Sequence, residues 1–304
     1  MALPTTWAAF IVLATAVFLK AILSRRRRRT YNLPPGPKPW PIIGNLNLIG
    51  ELPHRSMHEL SKRYGPLMQL RLGSLPAVVG SSVDMARFFL KTSDAAFADR
   101  PRFAIGKYGA YDASDIMWCQ YGPYLREARR ICSAELFSAK RLQTFELIRG
   151  EEVRGMLRGL LEASGRAVRL RDYVQKMTLG VISRMVLGKK YIQGEAAAAE
   201  FREIVDELFA LNGVFNIGDF VPWLDWLDLQ GYVRRMKRMN RKFHRFLDRV
   251  LDEHDRRRRL EGEGFEARDL VDVLLQLADD PYLEVQLSRD NVKAIIQVCA
   301  VCPN

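Results

Sequence analysis

Residues 115–142, DIMWCQYGPYLREARRICSAELFSAKRL, are the stretch of this 304-residue sequence that decides its fold. The turn before Pro123 opens into a helix, because proline is tolerated at the first helical position, where an N–H would have no partner. At about 100° per residue the following apolar side chains fall on one stripe: Leu125, Ala128, Cys132 and Leu136. The stretch therefore predicts an amphipathic helix that packs on a core.

Three arginines share this helix but occupy different faces. Arg129 lies about 40° from Leu125, at the edge of the apolar stripe, whereas Arg126 and Arg130 lie roughly 100–140° away and point outward. A guanidinium at a core boundary needs an anionic partner, and the two nearby glutamates face elsewhere. Two interpretations stay open from these residues alone: a bound anion at Arg129, or a surface helix whose arginines are solvated.

The composition indicates a globular and strongly basic chain. It is 48% hydrophobic and 27% charged, with a formal net charge of +12. An anionic membrane surface, an acidic protein partner and nucleic acid are all compatible with such a charge. Four widely spaced cysteines argue against a disulfide framework and indicate a reducing compartment. No phosphate-binding loop, nucleophile elbow or dinucleotide fingerprint occurs.

An apolar segment precedes a run of five arginines at 25–29. Residues 3–23 are long enough, at roughly 1.5 Å per residue, to cross a bilayer core of about 30 Å. The arginines follow the apolar segment, unlike in a cleaved secretory signal, and would keep the rest of the chain in the cytosol. The sequence predicts a transmembrane anchor over 1–24, with a buried core helix as the alternative, and a basic, proline-rich hinge over 25–41.

Periodicity and turn signals predict a mainly helical chain with one small sheet. An alternating strand over 67–72 is expected to pair with 76–80, and 168–170 is a short candidate strand. Long irregular segments are expected over 97–118 and 215–231. One expected helix begins at 123. Further helices are expected over 57–64, 83–91, 141–163, 173–187, 196–211, 230–260 and 268–278.

Two segments allow two interpretations each. The helix over 230–260 has one apolar seam and a basic remainder, which is typical of a packed helix with a solvated face, or of a helix lying on anionic lipid or nucleic acid. Residues 215–231 carry two tryptophans. They form either a loop that packs back on the core or a lid at a bilayer interface.

Several of these motifs resemble those of plant-type cytochrome P-450 monooxygenases. Tyr-Gly-Pro-Tyr-x-Arg-x-x-Arg-Arg-Ile-Cys at 121–132 resembles the family's C-helix, and Pro-Pro-Gly-Pro at 34–37 resembles its hinge. In the family, a Trp-x-x-x-Arg pattern on this helix holds a haem propionate; Arg129 matches the arginine and Leu125 replaces the tryptophan. The resemblance implies a cytochrome P-450-like fold over 42–297, mainly α with a small β-sheet, incomplete and preceded by the N-terminal membrane anchor.

The resemblance also implies a function. Members are haem-thiolate monooxygenases, which hydroxylate a hydrophobic plant secondary metabolite with electrons from NADPH. The implied partners are membrane lipid, NADPH-cytochrome P-450 reductase and a hydrophobic small-molecule substrate; nucleic acid is not expected as a partner. The implied location is the endoplasmic reticulum membrane, as a single-pass protein whose domain faces the cytosol. The implied site residues are Arg129 and Leu125 for haem, Phe103, Ile116, Phe209 and Phe215 for substrate, and Arg126, Arg130 and Lys140 for reductase docking.

Three family motifs that lie in or after the central helix have no counterpart at those positions in these 304 residues. They are the Phe-x-x-Gly-x-Arg-x-Cys-x-Gly loop that supplies the thiolate, the acid-threonine pair and the Glu-x-x-Arg brace. Residues 290–297 resemble the start of the central helix, and 298–304 diverge. We expect a truncated product, inactive alone, with no catalytic residue. We also expect no metal site, because the lone Cys299-x-x-Cys302 pair lacks four ligands. The alternative function is a membrane-tethered interaction protein that occupies the reductase or dimerises with full-length relatives.

Overall fold

A computed structural model describes residues 15, 32–188 and 195–301 of the chain. It divides into two compact units, residues 1–92 and 93–304. The predicted anchor over 1–24 lies outside the described residues apart from Thr15, as do residues 25–31 of the hinge and 302–304 of the tail. Among the helices that are described, none is both long and apolar enough to cross a membrane.

The first unit contains a two-stranded antiparallel sheet, which confirms the predicted hairpin. Helix α1 (Pro53–Tyr64) precedes strands β1 (Leu67–Leu72) and β2 (Leu75–Gly80), which meet at the two-residue turn Gly73-Ser74. Alternate residues of β1 are buried, as period-two spacing requires. Helix α1 begins four residues earlier than predicted, because a proline fits its first turn.

The proline-rich segment lies along β1. The backbone N–H of Gln69 donates to the carbonyl of Pro35 at 2.8 Å, and Gly44 bridges to Leu72. Gly44 has a φ of +63°, and a Cβ there would lie 2.1 Å from the Arg71 carbonyl oxygen. Only glycine therefore allows the chain to turn this close to the strand.

Helix α2 (Val83–Arg87) ends sooner than predicted. The Ser82 hydroxyl caps it by accepting from the Met85 N–H at 3.2 Å. The predicted helix over 83–91 is wrong in its second half, where Phe88–Thr92 widens into a π-helical turn.

The second unit is helical, and it holds the large core. Its helices are α3 (Asp94–Phe97), α4 (Ala104–Gly109), α5 (Pro123–Glu135), α6 (Ala139–Thr144), α7 (Glu146–Glu162), α8 (Leu170–Leu187), α9 (Glu195–Asn212), α10 (Ile217–Phe220), α11 (Tyr232–Glu261), α12 (Leu270–Ala278) and α13 (Arg289–Val301). A 3₁₀ turn covers Pro222–Leu227. Together the two units confirm a mainly helical chain with one small sheet in its described part.

Four sequence predictions are wrong in this unit. The single helix over 141–163 is two helices, α6 and α7, which break at the buried Phe145. The candidate strand over 168–170 is absent, because Leu170 begins α8. The irregular segments over 97–118 and 215–231 contain α4, α10 and the 3₁₀ turn. At Phe145 tertiary burial overrides the local helical pattern, whereas residues 168–170 are all exposed.

The long helix α11 organises the core. Its predicted seam is buried except for Tyr232, which packs against the cluster edge. The core-facing members of that seam are Met236, Met239, Phe243, Phe246 and Val250. The neighbours α4, α9, α12 and α13 supply much of the remaining apolar cluster.

Much of the basic remainder of α11 is ion-paired within the chain. The pairs with α9 are Arg235–Glu207, Lys242–Glu203 and Arg249–Glu200, and Arg258 of α11 pairs with Asp279 beyond α12. Basic residues of α13 form ion pairs with acidic residues of α11: Arg289 with Asp252 and Asp255, and Lys293 with Asp248. The helix is therefore a packed element, and its neighbours neutralise part of its basic charge.

A buried ionic network fastens α12 to α11. His254 faces the Asp269 carboxylate through Nε2 at 3.1 Å and the Val250 carbonyl through Nδ1 at 2.8 Å. Asp269 also caps α12 by accepting from the Asp272 N–H at 3.0 Å. Because both ring nitrogens face acceptors, the geometry favours the doubly protonated imidazolium.

Three residues of this network, His254, Asp269 and Asp272, have side chains of the kind that bind metal ions, and their ligand atoms lie close together. Asp272 nevertheless accepts from the guanidinium of Arg257 and from the Arg268 N–H. A neighbouring guanidinium repels a cation, so the cluster is an ion-pair network. Gly188, at a φ of +72°, ends α8 beside it, and a Cβ there would lie 2.1 Å from Asp269 Oδ2.

Candidate active site

Helix α5 presents a buried face and a charged face. Leu125 is buried in the core, and Ile131 and Cys132 continue that face. Glu127 is also buried, and its carboxylate accepts from Arg130 Nη2 at 2.5 Å and Nε at 2.9 Å. Hydrogen bonding to Arg130 lowers the pKa of Glu127 despite its burial. This bidentate pair fixes Arg130 on the helix surface.

Arg129 is exposed, one turn after Leu125. No hydrogen bond or ion pair joins its guanidinium to another of the described residues. Its charge nevertheless reaches Cys119, where burial raises the thiol pKa, the charge of Asp115 raises it further, and Arg129 lowers it. Arg129 is therefore available for an anion, whereas the nearby Cys119 stays a thiol at neutral pH.

A cavity of about 560 Å³ opens beside the segment that leads into α5. Its walls include Phe103, Trp118 and Cys119 from that segment, and Asp219 and Asp225 from α10 and the 3₁₀ turn. This volume is typical of a site for a small organic molecule. Carboxylates line part of the wall and aromatic rings line another part.

An aromatic cluster forms the apolar side of this cavity. The ring of Phe103 lies 6.0 Å from Trp118 and 5.5 Å from Phe220, measured between centroids. Phe220 in turn stacks parallel on Phe215 at 4.2 Å. The cluster joins two segments that are more than 90 positions apart in sequence, and it gives the cavity a rigid hydrophobic surface.

Hydrogen bonds hold the walls in place. The Asp219 carboxylate accepts from the Ala104 N–H at 2.7 Å, and the Trp118 indole N–H donates to Asn212 at 3.1 Å. Burial raises the pKa of Asp219, although the Ala104 N–H opposes the shift. Gln297 of α13 donates to the Gly109 carbonyl at 2.8 Å. Helices α4, α9, α10 and α13 therefore all contribute to positioning the cavity wall.

Two features of the segment that supplies this wall are unusual. Asp115 is buried, and burial raises its pKa to about 6 against the hydrogen bonds that it accepts from the backbone. Tyr111, Asp112 and Ala113 follow one another with positive φ values of 51°, 55° and 57°, and the last two line the cavity. Residues other than glycine rarely adopt this left-handed conformation.

The structure brings together only some of the residues predicted to contact substrate. Phe103 lines the cavity, and Phe215 supports it from behind Phe220. Ile116 packs against the core, and Phe209 is half exposed on α9; neither is among the residues lining this cavity. Sequence reasoning missed Trp118 and Asp219, although an acid within the aromatic segment 215–231 was a usable signal for Asp219.

The residues predicted to dock the reductase lie on the exposed side of α5 and in α6. The Arg126 guanidinium lies 5.7 Å from the centroid of the Tyr121 ring, and Arg130 remains largely exposed despite its pairing with Glu127. Lys140 is exposed in α6. With Arg129 on the same helix, these side chains make up a positively charged surface.

The model of the family "Cytochrome P450" matches residues 34–300 of this sequence. The chain belongs to the cytochrome P450 family. It is similar to trimethyltridecatetraene synthase of Zea mays, with 48% identity over 307 residues that cover 94% of this chain and 55% of the relative. Dimethylnonatriene synthase of Zea mays is 44% identical over 98% of this chain and 60% of its own length, and flavonoid 3'-monooxygenase of Arabidopsis thaliana is 43% identical over 88% and 52%.

The chain thus spans about half the length of the curated relatives that it matches. Cytochrome P450s carry haem, and the chemistry of one residue here, Arg129, fits a haem propionate. Arg129 offers an unpaired guanidinium suited to a propionate. Leu125 is buried in the core and has no donor to offer. The charge of Arg129 lowers the pKa of Cys119, but burial raises it more, so Cys119 is a protonated thiol and not a thiolate ready to bind iron.

Proposed function

We propose that the activity of this cytochrome P450 is monooxygenation of a hydrophobic plant secondary metabolite, to which these 304 residues contribute substrate binding. The cavity of about 560 Å³ with its aromatic cluster carries the proposal. Two of the relatives are named as synthases of trimethyltridecatetraene and dimethylnonatriene, and a third as a flavonoid monooxygenase. A terpenoid or phenolic substrate follows from these names and from the apolar wall.

Haem, when bound, supplies oxygen activation through its iron. The chain's own residues contribute binding and orientation. Arg129 would hold a propionate carboxylate through its guanidinium N–H groups. Phe103 and Trp118 bind the apolar body of the substrate and exclude water from it, and the Asp219 contact with the Ala104 N–H keeps this wall closed.

Substrate binding is expected to quench the fluorescence of Trp118, because this indole lines the cavity. Titration of the chain with flavonoids and acyclic terpenoids gives a saturable signal, and Trp118→Phe removes most of it. Phe103→Ala weakens binding about tenfold through lost apolar contact. Trp223→Phe, at an exposed indole outside the cavity lining, is the matched control and keeps the signal. An unchanged titration curve in Phe103→Ala contradicts the proposed site.

We also propose that the protein works at the endoplasmic reticulum membrane, as a single-pass protein with its domain in the cytosol. In the described part, the segment 215–231 supports a membrane contact. Its tryptophans Trp223 and Trp226 are 62% and 81% exposed, and Leu229 is 64% exposed. Exposed tryptophan next to leucine is favoured at the bilayer interface. This pattern supports the lid hypothesis over a loop that packs back on the core.

The positively charged surface of α5 and α6 is proposed to dock NADPH-cytochrome P-450 reductase. The charge reversals Arg126→Glu and Lys140→Glu together are expected to weaken co-precipitation with the reductase at least tenfold at low salt, with a smaller effect at high salt. Arg130 is left intact, because its reversal would place two carboxylates together at Glu127. Arg241→Glu with Arg245→Glu, two exposed arginines of α11, is the charge-matched control. Equal loss in both variants contradicts a specific surface.

The second candidate function is a membrane-tethered interaction protein that occupies the reductase or dimerises with a full-length relative, and the same exposed arginines favour it. These 304 residues lack the thiolate motif, so we propose that they do not catalyse alone. A carbon-monoxide difference spectrum of the reduced, membrane-expressed chain is expected to lack the Soret band of cysteine-thiolate ligation. A thiolate-type band together with NADPH-dependent product would overturn this expectation and leave the interaction function without support.

A further inference from the structure

Two cysteine sulfurs from distant parts of the chain touch in the core of the second unit. Cys132 lies on the buried face of α5, and Cys299 lies in α13 at the edge of the apolar cluster. Their Sγ atoms are 3.6 Å apart across 167 positions of sequence. Two sulfurs at this distance are in van der Waals contact, and a disulfide requires a separation of about 2.05 Å. The sulfurs must therefore approach by roughly 1.5 Å for the bond to form.

We propose that Cys132 and Cys299 form an oxidation-sensitive dithiol that hydrogen peroxide closes to a disulfide joining α5 to α13. The proposal uses neither the cavity nor a haem, so it stands independently of the monooxygenase function. The link would connect α5, which carries Arg129, to α13, whose Gln297 side chain donates a hydrogen bond to the Gly109 carbonyl. Oxidation would thereby fix the spacing between α5 and α13, and α13 is one of the helices that position the cavity wall.

The oxidation begins at Cys299, because Cys299 is partly exposed whereas Cys132 is buried. The Cys299 thiolate attacks one peroxide oxygen, the O–O bond breaks, and the departing hydroxide takes a proton to become water. The Cys132 sulfur then attacks the sulfenic sulfur of Cys299, the S–O bond breaks, and a second water leaves with the Cys132 proton. The two thiols lose two electrons and two protons in total, and hydrogen peroxide is reduced to two waters.

The surroundings distinguish this pair from the remaining described thiol. The hydrogen bond with Cys299 lowers the pKa of Cys132 against the effect of burial, so Cys132 gives up its proton more readily than an isolated buried thiol when it attacks in the second step. Cys119 instead has a raised pKa, and its Sγ lies 3.2 Å from the Gln120 carbonyl oxygen. Cys119 is therefore the internal control for selectivity.

The test oxidises the purified 304-residue chain with hydrogen peroxide and alkylates the remaining thiols after denaturation. The Cys302→Ser background is required, because trypsin leaves Cys299 and Cys302 in one peptide, residues 294–304. In this background we expect two fewer alkylated thiols, a faster band on a non-reducing gel, and a cross-linked peptide pair, 131–140 with 294–304. Dithiothreitol reverses all three changes.

In the Cys302→Ser background, a second substitution of Cys132→Ala or Cys299→Ser is expected to abolish the cross-link, whereas Cys119→Ser is expected to keep it. Because Cys132 is buried, the partly exposed Cys299→Ser variant provides the same readout at lower risk to the fold. Closing a loop of this length is also expected to raise the unfolding midpoint of the oxidised chain by roughly 5–10 °C. Cross-linking through Cys119, disulfide dimers in place of the internal link, or unchanged thiol alkylation after peroxide would each overturn the proposal.

Discussion

Replacing Asp269 with alanine is expected to lower the free energy of unfolding by about 3–5 kcal/mol. The carboxylate is buried, faces His254 at 3.1 Å and accepts the Asp272 N–H at the start of α12. Alanine leaves the buried imidazole without its partner and removes the helix cap at the same time. Urea denaturation of the two chains, followed by circular dichroism, measures the difference.

The loss should depend on pH in a defined direction. Burial by itself lowers the pKa of His254, but the hydrogen bond and charge of Asp269, with the Val250 carbonyl, raise it above 6.5. A raised pKa in the folded state means that this contribution to stability is complete below pH 6.5 and disappears as the pH rises through the folded-state value. The difference between the wild-type chain and Asp269→Ala should therefore be larger at pH 6 than at pH 9.

Two variants separate the causes. Asp269→Asn keeps a side-chain acceptor for the cap but removes the charge, so it should lose the pH-dependent part and retain most of the rest. Asp279→Ala removes an exposed carboxylate at the other end of α12, where the Arg258 pair is partly solvated, and should change stability by no more than about 1 kcal/mol. Equal effects of Asp269→Ala and Asp279→Ala would show that the buried network does not fasten α12.

Phe243→Ala is expected to destabilise the second unit by about 3–5 kcal/mol, because it opens a void in a close-packed core. Phe243 is fully buried at the centre of α11, and its ring is parallel to that of Phe246 at 6.1 Å. The measurement is the free energy of unfolding from chemical denaturation.

Phe209→Ala makes the same chemical change at a site that is 50% exposed. Its expected effect is within about 0.5 kcal/mol of zero. A small effect of Phe243→Ala, comparable to that of Phe209→Ala, would mean that α11 is not the centre of the core. This control also tests Phe209 as a substrate contact, since a stable Phe209→Ala variant can be titrated with ligand in the fluorescence experiment.

The sequence was sufficient where structure depends on local periodicity. The hairpin at Gly73-Ser74 and the seam of α11 follow from period-two and period-3.6 spacing, which neighbouring residues fix by themselves. The short helix α4 could not be anticipated, because its sequence AIGKYG contains two glycines and its stability comes from packing against α11. The break at Phe145 has the same cause, since burial of that ring in the core ends α6.

The candidate site likewise contains residues that a sequence motif predicted and contacts between distant segments that no motif predicted. Arg129 and Phe103 were predicted as site residues through the resemblance to a family motif and a family loop, and these assignments stay predictions. The contact between Asp219 and the Ala104 N–H spans 115 positions, and no pattern within either segment encodes it. Likewise, no local pattern encodes the ion pairs that Arg235, Lys242 and Arg249 of α11 make with α9.

The left-handed run of Tyr111, Asp112 and Ala113 has a consequence for how the ligand range of this protein can change. Each such residue holds roughly 1–2 kcal/mol of backbone strain, which only the surrounding contacts maintain. One member, Tyr111, buries a hydroxyl that has no hydrogen-bond partner among the described residues. A single substitution here, such as Ala113→Gly, can release strain and reshape one wall of the cavity. Selection can therefore alter what the cavity admits while every helix of the scaffold keeps its sequence.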